Sequence, residues 1–485
     1  MSRINSNVPS LVAQRQLGVS QQALRISLER LSSGLKINRG ADNPAGLIVS
    51  ERLRSEIGVV RQAIDNSNRA INVIATTEGA LDEVQALLTD IQSLLVEAAN
   101  SGAFSDEEIA ANQLQIDNAI DSITRIANTT TFAGRKLING ELDYVVSGAT
   151  ATQLSDVNVQ AAKFGTQPFV AVGVEVSQSA QKAQLAFAGA GLGASGTTVD
   201  IRGNDGIITL TFPASATTVE MAAAINAQVD ATGVTAVVSG TGGSAGLRLL
   251  SREYGSDAFV SVRELVPGVL NVTDRLGQAV TRTPGRDAVA TVNGISATAD
   301  GLKLTFSSSL MKLEVVLAED FGNGTLSLGT TSFAVTEGGA LFQLGPQVNT
   351  NQQENIGVKS IQANKLGNSI VGFLSELKTG QTNALSTGNF TQGSKIVEEV
   401  ITQVAVLRGR LGAFERNTLQ PNIRQLQITT ENLISSESVI RDTDFAEQTS
   451  ELTRAQILVQ AGNSIIAIAN AQSQNVLTLL GSAGR

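Results

Sequence analysis

"FAEQTSELTRAQILVQAGNSIIAIANAQSQNVLTLL", residues 445–480, decides how the chain is read. Phe445, Leu452, Val459, Ile466 and Leu480 keep a seven-residue spacing in which Ser473 is the one polar member, the seam of a coiled-coil-like helix. Beside that row stand Ala455, Gly462 and Ala469, also seven apart. Small residues next to an aliphatic row let a partner helix come close. Apolar residues continue almost to Arg485, where chain ends are usually polar and frayed, so this segment predicts something to bury itself against.

The other end carries a matching pattern. Leu17, Leu24, Leu28, Leu31 and Leu35 fall on steps of three and four, broken once by Gln21. After "NRGADNPAG" (Asn38 to Gly46) a longer row runs through Ile57, Val60, Ile64, Ile71, Ile74, Leu81, Leu88 and Leu95, with Ser67, Glu78 and Gln85 as polar steps. A third follows through Ile109, Ile116, Ile120, Ile123 and Ala127, opened by "SGAFSDEE", where Ser105 or Asp106 can cap. The first ~130 residues are therefore expected to be nearly all helix. Upstream of the opening segment, Val397, Val400, Val404, Leu407, Leu411 and Phe414 form another row. It resumes after Pro421, which is expected to bend or interrupt it, at Ile423, Leu426, Leu433 and Ile440.

Between the helical ends the texture changes. Gly and Thr become dense and apolar residues alternate, as in "LKLTF" (Leu302 to Phe306) and "KLEVVLA" (Lys312 to Ala318), which read as strands. "TTVEMAAAINAQVDATGV" is a short helix, opened by Thr217 and Glu220 in capping-box spacing and ended near Gly233. No regular internal repeat is present. The expected fold is mainly α at the termini, a long antiparallel helical bundle or coiled coil built from both chain ends, with a central β-rich or α+β variable region in an elongated, multi-domain body.

Composition narrows the chemistry. Of 485 residues 42% are hydrophobic but only 4% aromatic, with no Trp, which suits aliphatic helix seams better than bulky-ring cores. The formal charge of -9 argues against nucleic acid or an anionic membrane as partner. Without Cys there is no disulfide, zinc-thiolate or thiol nucleophile, and without His no Ser-His-Asp triad or HExxH site. No catalytic, cofactor-binding or metal-binding residues are expected. "GTGGSAGL" (Gly240 to Leu247) lacks the spacing and the Lys of a phosphate loop and reads as a turn between strands. "GVLNVTDRLG" (Gly268 to Gly277) lacks calcium-loop spacing. The N-terminus shows no secretory signal, and no stretch approaches the ~20 apolar residues of a membrane span.

Heptad rows usually line an ordinary helix bundle, and that reading serves for Ile57 to Ala127 and Val397 to Ile440. The two terminal rows differ. Isolated helices are marginal in water, and a pair at the chain ends leaves apolar surface whose expected cover is another copy of the chain.

Here the residues carry a resemblance. "RINSNVPSLVAQRQLGVSQQALRISLERLSSGLKINRGADNPAGLIVSERLRSEI" near the start and "ENLISSESVIRDTDFAEQTSELTRAQILVQAGNSIIAIANAQSQNVLTLL" near the end closely resemble the terminal signatures of bacterial flagellin. The resemblance implies a structural subunit that self-assembles into the flagellar filament used for swimming. A hook-filament junction protein, or an adhesin displayed on a filament through its central region, are the alternatives. It implies residues 1–40 and 445–485 as inner-core helices, 41–56 as a spoke, and 57–140 with 394–444 as the outer helical core. Residues 141–393 would be the surface-exposed variable region, with an insertion module at about 180–263. The inner-core seam would comprise Leu17, Leu24, Leu28, Leu31, Leu35, Phe445, Leu452, Val459, Ile466 and Leu480. The resemblance further implies type III export, extracellular placement, no membrane insertion, and an export chaperone, cap and hook-associated proteins as partners. In flagellins that an innate immune receptor detects well, an Arg stands where this sequence aligns Asp90 and a Glu where it has Gln115, while Leu94 keeps the third contact.

Overall fold

The structure is a computed structural model describing residues 7–482, except 101, 103, 166, 190, 240–245, 266, 267, 309 and 323–328; the side chains of 473, 474 and 476–482 also lie outside the description. Its chain divides into two compact units, one of residues 1–68, 344–347 and 419–485, the other of residues 69–343 and 348–418.

The first unit is helical. Helix α1 (Val8–Ser33) starts where the Asn7 side chain accepts from the Ser10 N–H and stops at Gly34, whose φ of 74° is a left-handed cap that a side chain would strain. Helix α2 (Pro44–Ala99) contributes to both units and begins at Asn43, whose Oδ1 accepts from the Gly46 N–H. Between the two helices Asp42 accepts from the N–H groups of Arg39 and Asn38, which hold its carboxyl below the usual range. Val60 and Ala63 of α2 pack on Leu426, with Ile64 and Leu433 alongside. Leu426 and Leu433 belong to the later helix Gln420–Arg441, whose Asn422 Nδ2 donates to Ser67 Oγ and to the Leu344 carbonyl.

In the second unit α2 buries Ala70, Ile74, Thr77, Leu81, Val84, Leu88, Ile91, Leu95 and Ala98, one residue every three or four. Helix α3 (Asp106–Thr129) opens with a full capping box between Ser105 and Glu108 and buries Ile116, Ile120, Ile123 and Ala127. Further along, the helix Phe390–Phe414 meets α2 through the Arg408–Asp82 ion pair and through Gly393, where a Cβ would stand 3.0 Å from Leu95 Cδ2. Pro421 has the expected consequence: a single π-helical turn, Glu415–Leu419, interrupts the helix before Gln420.

The centre is β-rich, in two modules. The first pairs the strands Ile295–Ser296, Val289–Val292, Val170–Gln178, Thr330–Gly338 and Tyr144–Ser147 in that order, and packs them on Thr298–Asp300, Lys303–Ser307, Met311–Leu317 and Leu154–Ala162. Met311, Leu313, Val315 and Leu317 are all buried, the period of two expected of a strand with one face in the core. The second module sets Val272–Thr273, Lys182–Ala188, Gly246–Tyr254 and Val234–Ser239 against Arg282–Pro284, Phe259–Glu264, Thr197–Arg202 and Ile207–Phe212.

Helix α4 (Thr218–Asn226) closes the second module's core with Met221, Ala222 and Ile225. Asn226 pins it by bonding both the N–H and the carbonyl of Ala236. Its capping box between Thr217 and Glu220 is the one the spacing indicated, and a four-residue turn, α5 (Val229–Thr232), carries the chain to Gly233. A further short turn, α6 (Glu319–Gly322), belongs to the first module. The numbering closes with α7 (Phe390–Phe414), α8 (Gln420–Arg441) and α9 (Phe445–Ser482). The glycine run at 240–245 lies outside the described residues. Asp274, in the stretch read against a calcium loop, spends its Oδ1 on the N–H groups of Leu276 and Gln278 in a turn.

Candidate functional site

Helices α1 and α9 run antiparallel, and their contact is built of small and polar residues. Asn7 Nδ2 donates to the Ala469 carbonyl at 3.0 Å and Ser10 Oγ to Asn470 Oδ1 at 2.9 Å. Near the other end Gln448 Nε2 donates to Ser27 Oγ at 2.8 Å. The pair is locked there by backbone: the N–H of Lys36 donates to the Arg441 carbonyl and that of Thr443 to the Gly34 carbonyl. Among the described residues the buried side chains along α1 are Ser10, Ala13, Ser20 and Ser27, and along α9 they are Gln448, Ala455 and Ala469. Gly462 meets Leu17 between them. With small residues along the contact and Leu17 met by a glycine, the backbones come close enough for a side-chain amide to reach the opposite carbonyl.

Bulk is displaced outward as a consequence. On α1 these side chains are Val8, Leu11, Val12, Val19 and Leu28, and on α9 Phe445, Ile457, Leu458, Ile465 and Ile468, all between 47% and 61% exposed. Covering each contributes on the order of 1–2 kcal/mol. Exposed apolar side chains in this number on a helix pair mark an interaction surface, called the sheath below.

Of the seam expected from sequence, Leu17, Leu24, Leu31, Leu35, Leu452, Val459 and Ile466 are half-buried and flank the line of small residues, while Leu28 and Phe445 face outward. The Leu480 side chain lies outside the described residues. The serine-alanine line of α1 was not among the rows expected from sequence; its signal is the seven-residue spacing of Ala13, Ser20 and Ser27, with Ser10 one turn before. Asp90 and Leu94 lie on α2, exposed and half-buried, and Gln115 is exposed on α3, where its amide donates to Asn112 Oδ1 at 3.5 Å.

Titratable groups form no reactive constellation in this unit, and among the described residues no His, Cys, Asp or Glu cluster could hold a metal. No helix of the described residues is long and apolar enough to cross a membrane. A closely paired set of terminal helices with an uncovered aliphatic sheath defines a structural protein that works by joining copies of itself.

Residues 4–143 match the bacterial flagellin N-terminal helical region, residues 394–480 the C-terminal helical region, and residues 198–249 the flagellin hook IN motif. A flagellin of Salmonella rubislaw is 30% identical over 98% of this chain and 99% of its own length. One from Salmonella typhimurium strain LT2 is 29% identical over the same shares, and polar flagellin F of Vibrio parahaemolyticus 27% over 99% of each chain. The chain belongs to the bacterial flagellin family and is a structural subunit of the flagellar filament. Relatives matched over nearly the whole chain do not favour the junction-protein or adhesin alternatives.

Proposed function

We propose that the sheath of the α1–α9 pair is the surface through which copies of the chain join, head to tail, into an open helical fibre. The observation that carries this is the outward turn of Leu11, Val19, Ile457, Ile465 and Ile468 on helices whose mutual contact is already filled by small residues. Residues 1–40 and 445–485 then form the inner core, 41–56 the spoke, 57–140 and 394–444 the outer core, and 141–393 the projecting region with its insertion module.

Export through the type III channel, extracellular placement, and encounters with an export chaperone, cap and hook-associated proteins accompany this reading by family resemblance. The absence of Cys supports it, since a chain that threads a channel unfolded gains from having no disulfide to reopen. The patch of Asp90, Leu94 and Gln115 gives a weakened contact with the innate receptor.

The test is substitution on the exposed sheath. Ile457→Glu and Ile468→Glu lie on solvent in the single chain, where such changes stay within about 0.5 kcal/mol of stability. The monomer's melting temperature should therefore hold while filament growth, followed by light scattering, is lost. Growth at the unmodified rate would refute the assignment.

A further inference from the structure

The strands Lys182–Ala188 and Gly246–Tyr254 turn Ala183, Leu185, Leu247 and Leu249 into the module's core and leave Lys182, Gln184 and Arg248 on the opposite face. Where the chain enters and leaves this module, Gln181 bridges Arg286, and Arg275 comes in from the neighbouring turn. With its amide oriented by the hydrogen-bond network, the Gln181 oxygen accepts from Arg275 Nη1 at 3.2 Å and from Arg286 Nη2 at 3.0 Å. Two guanidiniums thus share one amide oxygen. The Gln178 oxygen accepts from Arg286 Nη1 at 2.8 Å and Arg286 Nη2 reaches the Ser179 carbonyl at 3.1 Å, while Arg248 Nη2 donates to Gln184 Oε1 at 2.6 Å.

Every one of these acceptors is neutral. Among the described residues none of the three arginines is in an ion pair; Glu319 at the edge is engaged by Lys182 at 3.5 Å and by the Tyr254 hydroxyl at 2.7 Å. The buried Nε of Arg248 has no partner at all. Burial first, and then the charges of Arg248 and Arg286, push the Arg275 guanidinium below its ordinary range. Like charges gathered without a counter-charge leave a repulsion that the fold does not relieve and that a bound oxyanion would.

We propose that Arg248, Arg275 and Arg286 form an anion site that takes the carboxylate or sulfate groups of an acidic polysaccharide. Guanidinium forks match such planar or tetrahedral oxyanions with two parallel hydrogen bonds. Three guanidiniums on one patch suit a repeating polyanion, and the chain's net charge of -9 opposes attachment by overall charge alone.

The experiment uses the full chain on surfaces bearing heparin, which offers sulfate and carboxylate, or polygalacturonate, which offers carboxylate alone. Binding to at least one polymer, displaced by inorganic sulfate, is expected. Arg248→Gln with Arg275→Gln should weaken it by about tenfold or more, the scale of one lost charge-assisted contact. Arg202→Gln with Arg282→Gln, a matched pair on the module's other sheet, should change it by less than about twofold. Folding is checked independently: the bound polymer should raise the melting temperature of the unmodified chain and not that of the first pair. Failure of both polymers to bind, or equal loss in the two pairs, overturns the proposal.

Discussion

Gly462 of α9 faces Leu17 of α1 so closely that a methyl group placed on it would stand 3.2 Å from Leu17 Cδ1 and 3.5 Å from Leu17 Cβ. Leu17 is half-buried, so the end of its side chain has room to turn. Gly462→Ala is therefore expected to be nearly neutral, because the crowding is offset by roughly 1 kcal/mol of helix propensity. Gly462→Leu has no such escape. It should part the helices, break the Asn7–Ala469 and Ser10–Asn470 contacts, and raise the critical concentration for assembly by about tenfold or more. Sedimentation of polymer at several protein concentrations measures this, and a Gly462→Leu chain that polymerises normally would show that the close approach is dispensable.

The helices were legible because their signals are local. Seven-residue rows, the Ser105–Glu108 and Thr217–Glu220 capping boxes and Pro421 each act within a few residues of themselves. Which face of α1 and α9 meets which was less legible, because large aliphatics and small residues form parallel heptads and only three-dimensional approach chooses between them. In α2 the row of Ala63, Ala70, Val84, Ile91 and Ala98 is buried alongside the one identified from Ile57 to Leu95, since a helix packed on two sides needs a wider apolar stripe. The insertion module was expected at about 180–263, and its sheets also include Val272–Thr273 and Arg282–Pro284. Edge strands of two or three residues carry too little alternation to be recognised. The Arg248–Arg275–Arg286 cluster depends on residues from three separate segments and has no sequence signature.

A pH effect follows from the joint between the two β modules. Burial pushes the Asp287 carboxyl up, but bonds from the Ser256 hydroxyl, the Gly301 N–H and the Ser256 N–H outweigh it and hold the group below the usual carboxylate range. A carboxylate depressed in the folded state stabilises it above the unfolded value, and that contribution is lost as pH falls through the folded one. Asp287→Asn should cost about 1 kcal/mol at neutral pH, after discounting for solvent. Its melting curve should converge on that of the unmodified chain as pH falls below the ordinary carboxylate range and through the lowered value of the folded state. Parallel curves down to acid pH would remove Asp287 from the account.

The exposed Asp90 and Gln115 lead to a prediction about detection by the innate receptor. An acidic side chain in a contact built for Arg loses a charge-assisted hydrogen bond and adds repulsion. In a receptor-reporter assay the monomer should be weak, and Asp90→Arg with Gln115→Glu should restore potency together. Potency already equal to that of a strongly detected flagellin would contradict the assignment of these positions.

The central claim is that the chain ends, and not the β-rich centre, build the fibre. Electron microscopy of three purified chains under the same assembly conditions tests it most directly: the full chain, one lacking residues 446–485, and one in which Gln181 is joined to Arg286 by a short turn in place of the insertion module. Those two residues already exchange backbone hydrogen bonds, the Gln181 N–H to the Arg286 carbonyl at 2.7 Å and the Arg286 N–H to the Gln181 carbonyl at 2.9 Å, so the excision leaves ends that meet. Filaments are expected from the first and third chains and only dispersed protein from the second; filaments from the chain without residues 446–485 would overturn the assignment of assembly to the chain ends.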